Sequence, residues 1–276
     1  MSPFATIRGI RMYYERAGSG PPLLFINGSQ GDLRMQPGPF EGPIGRRFDL
    51  LAHDQRGLGQ TEKPDTDYTM ADYAEDAAAL LDHVGWDSCS VMGVSFGGMV
   101  AQELAVRHPE RIERLVLCCT SSGGRGQPSY PLHELQELTD EERLLRALEL
   151  SDRRMDTDWR KSNPETFAQV REMMEKRAAI GAGEPGRAMG ARRQLEARRH
   201  HDVYDRLPQA TMPTLVCAGR HDGIAPLANS EAIVSQLPQA SLEVFEGGHL
   251  FLVQDPRANE RILAFLGGGG AAGNGG

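Results

Sequence analysis

Ser88-Cys89-Ser90-Val91-Met92-Gly93-Val94-Ser95-Phe96-Gly97-Gly98-Met99-Val100-Ala101 passes from an apolar strand through a sharp turn into an apolar helix. The pattern G-x-S-x-G fills Gly93 to Gly97 and sets one serine at the apex. A strand-to-helix turn this tight holds its apical residue in a strained backbone conformation, so the Ser95 hydroxyl projects outward. Glycines at 93 and 97 carry no Cβ, which lets neighbouring backbone approach. The helix opening at Phe96 favours negative charge developing at its start. Small residues produce G-x-S-x-G by coincidence, but the strand before it and the helix after it supply the context of a nucleophile elbow. The stretch predicts acyl-transfer chemistry at Ser95.

Working outward, short apolar runs alternate with helical ones. Thr6 to Ala17, with Gly9 near its turn, reads as a hairpin. Strands are predicted at Pro22–Ile26 and Phe48–Asp54. Between them, Asp32 to Arg47 is rich in Pro and Gly and predicts only a short or broken helix. Thr69 or Asp72 caps a helix running to Val84 and stopped by Gly85. Its positions Ala71, Ala74, Ala78, Leu81 and Val84 share one face. After the elbow come a helix to His108 and a strand Ile112–Cys119. The rhythm resumes with strands at Pro213–Gly219 and Ser241–Phe245 and helices over 226–237 and 256–266. Such alternation predicts a parallel sheet covered on both faces. Residues 123–207 hold no convincing strand but contain helical runs, Leu144–Leu150 and Phe167–Ile180 among them. The expected organisation is a core from 1–122 and 208–266, a helical insertion over 123–207, and a disordered tail over 267–276.

The 276 residues are 39% hydrophobic and 25% charged, as in an ordinary soluble protein, and suffice for one large α/β domain with an insertion. A net charge of -8 disfavours nucleic acid and anionic membranes as partners. Cys89, Cys118, Cys119 and Cys217 lie in or beside apolar runs and read as buried free thiols of a reducing compartment. No cysteine or histidine spacing suggests a metal. The first residues lack the layout of a signal peptide, and no apolar run is long enough to span a membrane. The expected location is the cytoplasm. A homodimer is compatible with the chain.

A serine nucleophile needs a base, and the base needs an orienting group. In sheets of this kind such groups collect beyond the carboxyl ends of strands. After Pro213–Gly219 comes Arg220-His221-Asp222-Gly223, where Asp222 is the candidate acid; an Asp-Gly turn is the plain alternative. The loop after Ile112–Cys119 offers no carboxylate. After the last strand, Glu246-Gly247-Gly248-His249 presents His249 as the candidate base. His83 and His108 instead end helices, where a cation suits the dipole. The order Ser, Asp, His is that of elbow-bearing hydrolases. Two backbone donors are also required for a tetrahedral oxyanion. Phe96 supplies one amide, and Ser29, in Asn27-Gly28-Ser29 after an early strand, is the candidate for the other.

With Ile26-Asn27-Gly28-Ser29, Asp54-Gln55-Arg56-Gly57-Leu58-Gly59, the elbow, Gly219-Arg220-His221-Asp222 with Ala225-Pro226, and Gly247-Gly248-His249, the chain resembles the α/β-hydrolase superfamily along nearly its whole length. Within it, the chain looks most like the capped β-ketoadipate enol-lactonase and carboxylesterase group. The resemblance implies a mostly parallel eight-stranded sheet with helices on both faces, a helical cap over the active site, and no cofactor. The chain departs from the family at Asn27, where His is frequent, and at Thr61, where Ser closes the D-x-R-G-x-G-x-S pattern. Serine at 95, rather than aspartate, excludes dehalogenase and epoxide-hydrolase chemistry.

The expected reaction is hydrolysis of a small-molecule carboxylic ester or lactone through an acyl-enzyme, with Ser95, His249 and Asp222 as nucleophile, base and orienting acid. Cofactor-free perhydrolysis and a non-catalytic small-molecule receptor stay open. In the insertion, Trp159 and Met155, with Phe167, Met173 and Met174, are candidates for an apolar pocket or for the insertion's own core. The basic stretch Arg192, Arg193, Arg198, Arg199, His200 and His201 reads as a solvated helical face, with recognition of a substrate carboxylate as the alternative.

Overall fold

The computed structural model describes residues 3–268, so the expectation for the tail lies, from 269 onward, outside the described residues. Its strands are β1 (Phe4–Ile7), β2 (Ile10–Ala17), β3 (Pro22–Ile26), β4 (Asp49–His53), β5 (Cys89–Val94), β6 (Ile112–Cys118), β7 (Thr214–Gly219) and β8 (Ala240–Phe245). They form one sheet in the order β1-β2-β4-β3-β5-β6-β7-β8. Only β2 runs antiparallel to its neighbours; every pair from β4 to β8 is parallel. β3 has β4 on one side and β5 on the other, so successive connections leave it in opposite directions. A crevice opens at such a reversal, beyond the strands' carboxyl ends, and both Asn27 and Ser95 sit there.

Each element follows from its residues. β7 is buried at every position and β5 at all but its last, as continuous apolar runs in a parallel sheet should be. Thr69 caps α1 (Met70–Val84) in a reciprocal box with Asp72, a device typically contributing about 1 kcal/mol. Gly85 ends that helix at φ 75°, where a side chain would be strained. α2 (Phe96–Arg107) buries every residue except Arg107 because α1 covers the side that the sheet does not. The opposite face of the sheet packs on α8 (Phe251–Gln254) and α9 (Arg257–Leu266), with the Phe245 and Phe251 rings stacked 5.2 Å apart. No helix forms over 32–47; prolines at 37, 39 and 43 withhold the amides a helix would need, and the segment runs as turns.

Between β6 and β7 the chain forms α3 (Asp140–Ser151), α4 (Thr157–Ser162), α5 (Pro164–Ala179) and α6 (Arg187–Arg199), preceded by a tight turn at Leu132–Glu137. The sheet then completes with α7 (Leu227–Gln236) between β7 and β8. The chain leaves the core at Ser121–Gly123 and returns at Asp202–Val203. These two passes pair with each other: Gly123 bridges Asp202, and the Val203 amide donates to the Ser122 carbonyl at 2.9 Å. The basic stretch is in part the solvated face read from the sequence, with Arg192, Arg199 and His200 exposed, but α6 also packs, burying Gln194, Leu195, Ala197 and Arg198. All four cysteines are buried and free. Among the described residues no helix is long and apolar enough to cross a membrane.

Candidate active site

Ser95 holds φ 55° and ψ -117°, a region that disfavours side chains and costs on the order of 1–3 kcal/mol. Two hydrogen bonds fix it there. Its amide donates to the Cys118 carbonyl at 2.8 Å, and its carbonyl accepts from the Thr120 hydroxyl at 2.8 Å. The flanking glycines are required by contact. A Cβ on Gly93 would stand 2.3 Å from the Gly97 carbonyl oxygen, and one on Gly97 would stand 2.0 Å from that of Ile26.

Asp222 lies just past β7, fully buried. Its Oδ1 accepts from the amides of Ile224 at 2.7 Å and Ala225 at 2.9 Å. Oδ2 is 2.7 Å from Nδ1 of His249, and Nε2 of that ring is 2.9 Å from Ser95 Oγ. An ionised carboxylate only accepts, so Nδ1 carries the imidazole proton and Nε2 offers its lone pair to the hydroxyl. The chain therefore brings 95, 222 and 249 into one hydrogen-bonded run from three separate strand ends. Cys119 lies close by, its Sγ within 4.8 Å of ligand atoms of Asp222 and His249. Burial, reinforced by the Asp222 charge, raises its thiol well above the ordinary range. A protonated thiol beside an imidazole already engaged at both nitrogens is a poor metal set.

The insertion holds this arrangement in place, which the sequence did not signal. The His249 amide donates to the Ser151 carbonyl at the end of α3 at 2.6 Å. The Gly248 amide donates to Gln254 Oε1 at 2.7 Å, and Gln254 Nε2 in turn donates to Asp152 Oδ2 at 3.0 Å. On the other side, the Gly223 amide donates to the Leu150 carbonyl at 2.9 Å, and the Arg153 amide to that of His221 at 2.9 Å. Both loops that carry the His249 and Asp222 side chains are thus fastened to one helix end. The contacts between the insertion and these loops join residues roughly 70 to 100 positions apart and leave no local pattern.

Phe96 begins α2 with its ring buried edge-on against Tyr73, centroids 5.0 Å apart, which leaves only its amide for the crevice. Asn27-Gly28-Ser29 faces the serine; a Cβ on Gly28 would touch Ser95 Cβ at 3.4 Å. That loop is anchored by Gln55 Nε2 donating to the Asn27 carbonyl at 2.8 Å, and by the Gln30 amide donating to Gln194 Oε1 of α6 at 2.9 Å. In the neighbouring motif, Arg56 grips Asp76 of α1 at 2.7 and 2.8 Å and takes no part in the crevice. Asp54 accepts from the amides of Leu33 and Gln60, while burial pushes its carboxyl up to about 7.

A cavity of about 930 Å³ opens on Ser95 and His249. Ser29, Met35, Leu132, Leu135, Leu195 and Ile224 form much of its wall, with Arg177 and Arg192 at its cationic side. Met155 and Trp159 do not line it, nor do Phe167, Met173 and Met174. The Met155 amide turns back onto the Asp152 carbonyl, and Trp159 sits half-buried in α4. The wall comes instead from the turn before α3 and from α6. Of the basic stretch, Arg192 alone borders this cavity. Arg193 pairs with Asp65 and Asp67, and His200 pairs with Glu196.

A doubly wound sheet with a serine elbow and a helical insertion above its strand ends defines the class. The α/β-hydrolase fold family model matches residues 21–256, and the chain belongs to that family. It is 29% identical over 258 residues to a poly(3-hydroxyalkanoate) depolymerase of Ectopseudomonas oleovorans, covering 88% of this chain and 82% of that protein. It is 26% identical to 3-oxoadipate enol-lactonase 2 of Acinetobacter baylyi, covering 95% of each. In fold it resembles the crystal structure of an enol-lactonase from Burkholderia xenovorans LB400, with TM-score 0.77 and 22% identity over 96% of this chain and all of that one.

Proposed function

We propose that this protein is a serine hydrolase that cleaves a carboxylic ester or lactone of a small molecule. The observation that carries the reading is the unbroken run from buried Asp222 through His249 to Ser95 Oγ, ending in a largely apolar cavity. The Ser95 hydroxyl attacks the carbonyl as His249 Nε2 takes its proton. The amides of Ser29 and Phe96 receive the oxyanion, each such donor being typically worth 10²–10³ in rate. His249 then protonates the departing alkoxide. In the second half it draws a proton from water, which attacks the acyl-enzyme and releases Ser95. Asp222 holds the ring in the required tautomer and offsets the imidazolium charge. A relative named as an enol-lactonase supports the lactone half of this reading.

The test combines turnover of 4-nitrophenyl esters and simple lactones with labelling by a fluorophosphonate. Label on Ser95 and loss of turnover in Ser95→Ala are expected. Near-normal turnover by that variant, or label elsewhere only, overturns the proposal. A peroxide-dependent halogenation assay distinguishes perhydrolysis, and absence of both label and turnover marks a receptor.

A further inference from the structure

A second cavity, of about 220 Å³, lies at the root of the insertion. Ser121 and Gly123, where the chain leaves the core, border it from one side; Arg198 and His201, where the chain returns, border it from the other. Ser129 and His133 are also in its wall, and no carboxylate is.

Arg198 is only 6% exposed. Its Nη2 donates to Ser129 Oγ at 2.7 Å, while its Nε is buried with no partner. Other sheltered arginines pair with acids: Arg56 with Asp76, Arg111 with Asp82, Arg160 with Glu149. Among the described residues Arg198 has no such counter-ion. Burial alone lowers its guanidinium to about 10, with no neighbouring charge to oppose it. A buried cation without an anion is costly to fold around.

Other donors face the same space. His201 is 6% exposed, and neither ring nitrogen completes a hydrogen bond, the Ser121 carbonyl that faces the ring included. A neutral imidazole has one N–H to give. The Ser129 hydroxyl accepts from Arg198 and the Ser121 hydroxyl accepts from the Ser129 amide, so both protons remain free to donate.

We propose that this cavity binds a small oxyanion, a carboxylate or a phosphate, whose oxygens accept from the Arg198 guanidinium and the hydroxyls of Ser121 and Ser129. Such an ion joins the outgoing and returning passes of the insertion. It is separate from the cavity at Ser95 and does not depend on the hydrolase reading.

The experiment is isothermal titration calorimetry of the full chain in one buffer at constant ionic strength, with inorganic phosphate in one arm and acetate in the other. Saturable binding of at least one anion is expected, and the favoured arm identifies the source. Arg198→Met should weaken it at least tenfold. Arg198→Lys should retain part of it, since an ammonium keeps the charge but not the planar fork of donors. Ser129→Ala, which leaves the charge in place, should weaken it less than Arg198→Met. No saturable binding of either anion by the unaltered protein overturns the proposal whether or not the variants fold. Equal binding by a folded Arg198→Met protein does so as well.

Discussion

Replacing Asp222 by Asn tests whether the imidazole depends on the buried acid. The side chain has two ways to sit. With its oxygen toward the amides of Ile224 and Ala225, it preserves the 2.7 and 2.9 Å bonds that shape the loop. Its NH₂ then faces His249 Nδ1, which must accept, so the ring proton moves to Nε2. The lone pair that met Ser95 Oγ at 2.9 Å is gone. The reverse orientation sets an NH₂ against two amide donors in a fully buried site, at about 1–3 kcal/mol for each unsatisfied group. The first arrangement wins, and the fold survives with its base disabled. A wrong tautomer in such a triad lowers kcat about 10⁴-fold, which is about 5.5 kcal/mol of barrier at 1.36 kcal/mol per decade. KM should move little, because Asp222 does not line the cavity and the favoured Asn orientation keeps its bond to the Ile224 amide. Steady-state turnover of 4-nitrophenyl acetate, with a thermal melt to verify folding, measures both. A folded variant that loses less than about tenfold in kcat would refute the reasoning.

Gly97→Ala drives a methyl to 2.0 Å from the Ile26 carbonyl oxygen and 2.5 Å from that of Asn27, so the loop bearing Ser29 must shift. A kcat loss of at least about 10²-fold is expected, read by the same assay; unchanged kcat removes that loop from the reaction. Gln254→Ala cuts the link from the Gly248 amide to Asp152 and should reduce kcat about tenfold with KM nearly constant. Adding Asp152→Asn should cost little more in kcat, since the other side-chain bonds of Asp152 go to Arg154 and the link to the His249 loop is already cut; a fully additive loss in kcat argues against the linkage. For pH, His53 and His201 are held neutral by burial at about 4, below the ordinary 6.5. Between those values the unfolded chain binds the proton and the folded one does not. Each histidine therefore makes stability fall as pH drops through that window, by up to about 1.4 kcal/mol per pH unit. Asp54, raised by burial to about 7, acts oppositely: its contribution is full below its unfolded value and is lost as pH rises through 7. Urea unfolding midpoints across the window should show a shallower slope in His53→Asn than in the parent, and an unchanged slope contradicts the assignment.

The sheet was legible because buried parallel strands write themselves as unbroken apolar runs. Val91 to Val94 and Leu215 to Gly219 are such runs, and the strand bounds fall within a residue or two of the reading. Thr69 and Gly85 marked the ends of α1 because capping is local chemistry. The positions of Asp222 and His249 followed from a topological rule that places reactive groups past strand ends, a rule that needs no contact map. The insertion obeys no comparable rule. Met155 and Trp159 were candidates by size, yet which face of a cap helix looks inward is decided by packing against the core. α5 buries no residue fully; Phe167, Val170 and Met174 are half-buried along one face, yet none of the three lines the cavity. α6 misled in the opposite sense: its run of arginines looked solvated, while Gln194 reaches the loop beside Ser29 and Arg198 enters the interior.

The hydrogen bonds of the α3 terminus bear on how the Ser95 cavity is entered. The carbonyls of Leu150 and Ser151 accept from Gly223 and His249, so this end of the insertion belongs mechanically to the loops that bear Asp222 and His249. A rigid swing of the whole insertion would either break both bonds or carry the His249 loop away from Ser95. The turn at Leu132–Glu137 and α6 also wall the cavity, and α6 is tied to the core through Gln194 and Gln30. α4 and α5, by contrast, bury no residue in either helix, although Arg171 of α5 pairs with Glu141 of α3 and Arg160 of α4 with Glu149. Both pairs reach solvent, the Arg171–Glu141 pair more than the Arg160–Glu149 pair, and such partly exposed ion pairs are each worth about 1 kcal/mol or less. α5 reaches the cavity through Arg177 and, with α4, is the part of the insertion least buried against the core, so it shifts at least cost while Asp222, His249 and Ser95 keep their spacing.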